Sequence, residues 1–260
     1  MPSIERRRDE TKAFRIGAYA AACTLLGALL SGPIAMLAVN ATHPQPAWQG
    51  PGVFVENYHP IQTLPFFLGF LLVSGLVALI ASLHAVAEER HRALTGAALA
   101  FVAAFAALVF LNYVIQTTFV PALVSAYTEP DGAILSAFTM SNPRSLGWGL
   151  EMWGYGLLGV ATWLVAPVFR GSKLERAASW AFVANGPASI VPAVWTALDP
   201  GWELTAPGLV SFAVWNLLVV VMAILAFLVF RLSSWSGASG RRPRSRETPR
   251  RWEVERRASP

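Results

Sequence analysis

The sequence predicts an all-α, polytopic membrane protein: a bundle of six transmembrane helices with both termini cytoplasmic. Three observations predict it. Apolar residues make up 55% of the 260-residue chain and charged residues only 13%, against roughly a quarter charged in a soluble domain. The apolar residues fall into six runs of at least 22 residues each, and about 20 residues at 1.5 Å rise cross a ~30 Å hydrocarbon core. Of the 20 lysines and arginines, 19 fall in segments that six crossings place on one side, and Arg144 alone falls on the other. Flanking basic residues set orientation.

Residues 1–15 form a basic cytoplasmic segment with Arg6, Arg7, Arg8, Lys12 and Arg15. The first span is 16–39. Its 24 apolar residues exceed a signal-peptide core of ~7–15, so it is read as a retained helix. A Pro/Gly-rich loop with His43, Glu56 and His59 leads to the second span, 61–86. A short charged turn, Ala87–Ala93, precedes the third span, 94–120, which ends in Asn112, Tyr113, Gln116 and Thr117.

The longest internal loop, Pro121–Ser145, precedes the fourth span, 146–169. Asn142-Pro143 is expected to open that helix as cap and first-turn proline. Gly147 and Gly154 share one face and Gly149 and Gly156 a neighbouring one, with Ala161 prolonging the first. Such small residues let other backbones approach, which predicts a central helix.

The fifth span, 177–198, contains Pro187 and Pro192. Each removes a backbone donor and frees a carbonyl one turn earlier, so a kinked or broken helix is expected. The sixth span is 207–230, with 16–232 as the whole transmembrane domain. Residues 233–260 read as a disordered basic cytoplasmic tail. Trp148, Trp195 and Trp202 fall where an outer aromatic belt would lie, and Trp180 and Trp235 near an inner one.

Composition and motifs exclude several chemistries. The single cysteine, Cys23, allows no intrachain disulfide and no cysteine-based zinc site. Glu56-x-x-His59 with His43 nearby is too sparse a ligand set, because such an element binds metal only with further ligands. No metal or other cofactor is therefore expected. No phosphate-binding Gly-rich loop precedes a Lys-Ser/Thr pair. No span carries a lysine for a retinal Schiff base, and no helix supplies a second pair of axial histidines for two haems.

The net charge of +5 does not point to nucleic acid, because the basic residues flank spans. The expected partners are the lipid bilayer and, through the C-terminal arginines from Arg241 to Arg257, anionic lipid head groups at about 1 kcal/mol per residue near the surface. Ile61-Gln62-Thr63 recurs as Ile115-Gln116-Thr117, but three residues do not establish an internal repeat.

Glu151 is the only carboxylate within the six runs. It lies about five residues into its span, ~7–8 Å deep, and a carboxylate there must face the bundle and find partners. Gln116 sits at a matching depth on the third span, with Asn112 one turn away on the same face. Tyr155 is i+4 from Glu151, and Arg144 is i−7 on the same side. The expected site is an outer-leaflet cluster of Glu151, Asn112, Gln116 and Tyr155 capped by Arg144. Secondary candidates at mid-membrane are Asn185 and Asn216, beside the prolines, where a broken helix could bind a ligand or the amides could glue helices. No catalytic residue is identified.

At NPRSLGWGLEMWGYGLLGVATWLVAPVF, Asn142–Phe169, and NYVIQTTFVP, Asn112–Pro121, the chain resembles a family of small six-helix bacterial integral membrane proteins with no established function. The resemblance covers the third to sixth spans. It implies that the fourth helix is the core, and it implies no catalytic residues.

Three functions follow as expectations. The first is binding or transport of a small polar or amphipathic ligand through the Glu151 cluster. The second is a structural or regulatory membrane subunit whose polar residues only clamp helices. The third is an intramembrane lipid-modifying enzyme, for which the sequence shows no nucleophile–base pair. A cavity at Glu151 open to the outside favours the first, and a closed, fully paired Glu151 favours the second.

Overall fold

The computed structural model of the protein describes residues 4–238, with side chains over 11–232. The described residues are all-α, without strands. Helix α1 (Ile4–Leu29) passes through a π-helical turn (Leu30–Ile34) into α2 (Ala35–Thr42). After α3 (Pro51–Glu56) comes α4 (Leu64–Val86), then α5 (Arg92–Val114), a second π turn (Ile115–Phe119) and α6 (Val120–Ser125). The rest are α7 (Gly132–Phe138), α8 (Leu146–Val165), α9 (Lys173–Leu198) and α10 (Ala206–Ala238).

Five of these helical stretches are long and apolar enough to cross a membrane: Thr11–Thr42, Pro60–Val86, Glu89–Ser125, Lys173–Leu198 and Ala206–Leu232. Large apolar side chains cover their outer faces, including Leu37, Phe67, Leu111, Val194 and Leu217. Such a surface belongs against lipid tails. Helix α8 is not among the five. Its five glycines, three tryptophans, Glu151 and Tyr155 keep it out of that set, and its small residues suit it to packing against other helices. Eleven of its 20 residues are buried.

The six long helices form a closed ring in chain order. Each packs on its sequence neighbours, and α10 returns to α1. Helix α8 lies between α5 and α9, and α4 touches it across the ring. The main core runs through the ring, with Leu76, Phe105, Leu158, Phe182, Met222 and Phe230 fully buried. Early α1 and late α10 adjoin, with Phe14 edge-on to Phe230 at 6.0 Å.

At one end the loops make a cap that the sequence pattern did not predict. Phe54 of α3, Val120 of α6 and Leu135 of α7 form a second small core. Gln62 fastens the first loop. Its amide nitrogen donates to the carbonyls of His43 and Asn57, and its amide oxygen accepts from His59 N and Gln45 Nε2. The loop after α9 joins the cap at Gly201, which packs toward Pro143. In that loop Glu203 is fully buried and accepts from Gly201 N at 2.9 Å.

Two expectations are corrected. Helix α8 begins at Leu146, with Ser145 as N-cap, not at Asn142-Pro143. Asn142–Ser145 is instead a turn, closed by Ser145 N to Asn142 O at 3.1 Å. Pro143 takes the second turn position, which its fixed φ suits.

The second correction concerns α9, for which a kinked or broken helix was expected: it is not broken, and continues as one helix through Pro187 and Pro192. Pro187 deprives the Val183 carbonyl of its helical donor. Trp163 of α8 supplies a replacement, its indole Nε1 donating to Val183 O at 2.6 Å. The ring lies so close that any side chain at Gly186 would overlap it. Trp163→Phe therefore leaves the carbonyl without a donor. We expect it to destabilise the protein by about 1–3 kcal/mol, read as a lower thermal midpoint in detergent, whereas Phe at the lipid-facing Trp153 should change little.

Candidate functional site

Helices α5 and α8 bring four of the predicted residues together, and a fifth that was not predicted in that role joins them. Glu151, 8% exposed, accepts at both oxygens. Asn112 Nδ2 donates to Oε2 at 2.9 Å, and the Tyr113 hydroxyl donates to Oε1 at 3.1 Å. The Tyr113 and Tyr155 hydroxyls are 3.2 Å apart. With the Tyr113 proton committed to Glu151, Tyr155 is the donor of that pair. Tyr113 belongs to the same polar patch in the sequence, but it lies one residue from Asn112, off the i,i+4 line. Its long ring swings the hydroxyl back to the shared centre, and spacing alone did not show that.

From Asn112 the network continues to the loop after α7. Asn112 Oδ1 accepts from Gln116 Nε2 at 3.2 Å. Gln116 Nε2 also donates to Phe138 O at 2.8 Å, while its Oε1 accepts from Met140 N at 3.2 Å. Met140 is further held through its carbonyl by Trp148 Nε1 at 2.8 Å and through its sulfur by Asn112 Nδ2 at 3.0 Å. Gln116 reaches this loop from the second π turn, which lies just before Pro121. Single π turns inside helices recur at such special positions. Gly147 packs against Met140, Asn112 and Gln116, and Gly154 packs against Val109, so the predicted glycine face is the one applied to α5 and the loop.

The structure does not bring Arg144 to the cluster. It is exposed on the turn before α8, where its backbone N–H donates to Asn142 Oδ1. Among the described residues it makes no ion pair. The partners of Glu151 are therefore neutral donors.

Asn185 and Asn216 do not meet each other. Asn185, fully buried, donates from Nδ2 to Thr162 Oγ1 at 3.2 Å, and its Oδ1 has no partner. Asn216 packs against Gly32 in the first π turn, on the α1 side, and its Oδ1 is also buried without a partner. A cavity of about 30 Å³ lies between α8, α9 and α10, lined by Tyr155, Ser189, Trp202 and Trp215 among others. It is large enough for a water molecule. Trp215 Nε1 donates to Ser189 Oγ beside it at 3.0 Å.

At the other end of the bundle, His84 of α4 meets Thr95 of α5, Nδ1 to Oγ1 at 2.8 Å. Thr95 also faces its own helix carbonyls at His91 and Arg92. His43 and His59 stack at the opposite end, with ring centroids 3.6 Å apart. Among the described residues no group of three or more His, Cys, Asp or Glu is placed to hold a metal ion.

No family model, curated protein or solved structure matches this chain. The resemblance read at Asn142–Phe169 and Asn112–Pro121 thus gains no support from those comparisons, and the residues must be read on their own chemistry.

His91 lies in the charged turn before α5 and is buried.

Proposed function

We propose that the chain is a six-span protein of a cytoplasmic membrane, with both termini cytoplasmic. In this reading the Glu151 network is an interhelical clamp, and the protein is a structural or regulatory membrane subunit. The observation that carries the clamp is the engagement of both Glu151 oxygens by Asn112 and Tyr113. Neither the small cavity beside Trp215 nor a larger groove lined by Phe67 and Thr117 is lined by Glu151. A polar residue that must be paired inside lipid is well suited to fastening helices.

Helix α8 is counted as the sixth span because its 20 residues measure about 30 Å at 1.5 Å per residue, and because it lies between two spanning candidates. The orientation rests on the basic residues. In support of it, Arg170, after α8, acts on His91, after α4, so the two charged turns share one end. The C-terminal arginines from Arg241 onward lie outside the described residues, and their attraction to anionic head groups remains part of this proposal. The lipid-modifying reading is not favoured, since no carboxylate among the described residues joins the His84–Thr95 pair.

Two experiments test the proposal. Glu151→Gln keeps an acceptor for Asn112 and offers Tyr113 a donor, so it should leave the melting temperature nearly unchanged. Glu151→Leu orphans both partners, at about 1–3 kcal/mol each, and should lower the melting temperature clearly. If Glu151→Leu melts like the parent, the clamp is not needed. For orientation, Glu56→Cys and Ser172→Cys are placed in a Cys23→Ala background. An impermeant maleimide added to intact cells should label the first and spare the second, and the reverse would invert the topology.

A further inference from the structure

The chain has five methionines, and Met36, Met140, Met152 and Met222 lie among the described residues. Met36 is 49% exposed on the first spanning stretch, where its surroundings are lipid tails. Met152 of α8 and Met222 of α10 are buried between helices. Met140 differs in place. It lies in the loop between α7 and α8 and is half-buried. Of the four it is the one that a water-soluble reagent meets without entering lipid or the core.

Met140 also differs in what its sulfur touches. Asn112 Nδ2 donates to Met140 Sδ at 3.0 Å and, with its other hydrogen, to Glu151 Oε2 at 2.9 Å. One amide nitrogen thus joins a loop sulfur to the buried carboxylate. The backbone of Met140 is held in place, because its N–H donates to Gln116 Oε1 and its carbonyl accepts from Trp148 Nε1. Its Cγ lies so close to α8 that a side chain at Gly147 would overlap it, and Asn112 Oδ1 and Gln116 Nε2 crowd the same spot. An atom added to the sulfur has to be met by movement of the side chain or of Asn112.

A thioether is a weak acceptor and a soft, polarisable group, and peroxides convert it to a sulfoxide. A sulfur lone pair attacks one oxygen of hydrogen peroxide, and the O–O bond breaks as the S–O bond forms. Sulfur loses two electrons, and the second oxygen leaves as water with the proton of the first. The product is polar, and its acceptor is the new oxygen, one bond away from the sulfur on which Asn112 is set.

We infer that Met140 is a peroxide-sensitive latch on the Glu151 network: oxidation of its thioether withdraws the sulfur from Asn112 and slackens the hold of Asn112 on Glu151. The inference rests on the clamp reading and supplies its regulation. Methionine sulfoxide is reduced back by dedicated reductases, so the latch can be reset.

The test treats the full chain, carrying Cys23→Ala and reconstituted in phosphatidylcholine vesicles, with dilute hydrogen peroxide. Peptide mass spectrometry should find one added oxygen on Met140 before Met36, Met152 or Met222. Protein extracted at that stage should melt about 2–4 °C below the untreated protein, the size of shift that loss of one modest interaction gives a chain of this length. Methionine sulfoxide reductase should restore it. Met140→Leu keeps the volume and apolar character and should lose the peroxide-induced shift. In Glu151→Leu, where Asn112 has no carboxylate to hold, the shift should shrink. A shift of equal size there would refute the coupling to Glu151, while the clamp itself is judged separately, from untreated Glu151→Leu. Oxidation of Met36 or Met152 as fast as Met140, or an oxidised Met140 that leaves the melting temperature unchanged, would overturn the inference.

Discussion

Lipid offers no hydrogen bonds, so every polar group carried into the ring has to be answered from within the protein. Most of the distinctive features of this structure are consequences of that condition. Glu151 is answered by Asn112 and Tyr113, and Tyr113 in turn by Tyr155. The carbonyl that Pro187 frees is answered by the Trp163 indole. Thr24, Ser82 and Thr196 answer their own hydroxyls by bonding one turn back along their helices. The buried oxygens of Asn185 and Asn216 in the long helices, and those of Tyr58, Ser145 and Glu203 Oε1 in the loops, stand out against this background because nothing among the described residues answers them.

The same condition explains why α8 looks unlike the other long helices. Its glycines remove side chains where α5, α9 and the loop after α7 come close, and its polar residues face those neighbours and not the tails. Eleven of its 20 residues are buried against those neighbours. Helix α8 is one member of the ring, packed mainly on α5 and α9, and not a centre that the other helices surround.

The two ends of the ring are built differently. One end gathers the short charged turns, where Glu88 pairs with Arg90 and Glu89 with Arg92. The other carries a cap of loops with a small apolar core of its own. Two glutamines fasten that cap, Gln62 to the first loop and Gln116 to the second. The triplet Ile-Gln-Thr that recurs in the sequence thus recurs in role, one glutamine satisfying several loop backbone groups each time. This is similar use of a residue well suited to bridging, and it does not require a duplicated fold.

The apolar run lengths and the absence of strand patterning were enough, by themselves, to define an all-helical chain with lipid-facing segments, because run length is set by bilayer thickness and is local information. The sequence also singled out Glu151, since one carboxylate among so many apolar residues is conspicuous, and spacing along single helices placed Asn112, Gln116 and Tyr155 near its level. Tertiary structure decided the rest. It turned Tyr113 into the second donor, left Arg144 in solvent, kept α9 whole through two prolines, separated Asn185 from Asn216, and set the Met140 sulfur against Asn112. Each of these depends on which face of one helix meets which face of another, and on how far a ring or an indole reaches across that gap. Such contacts are fixed by the packing of residues distant in the chain, so no reading of one segment at a time contains them.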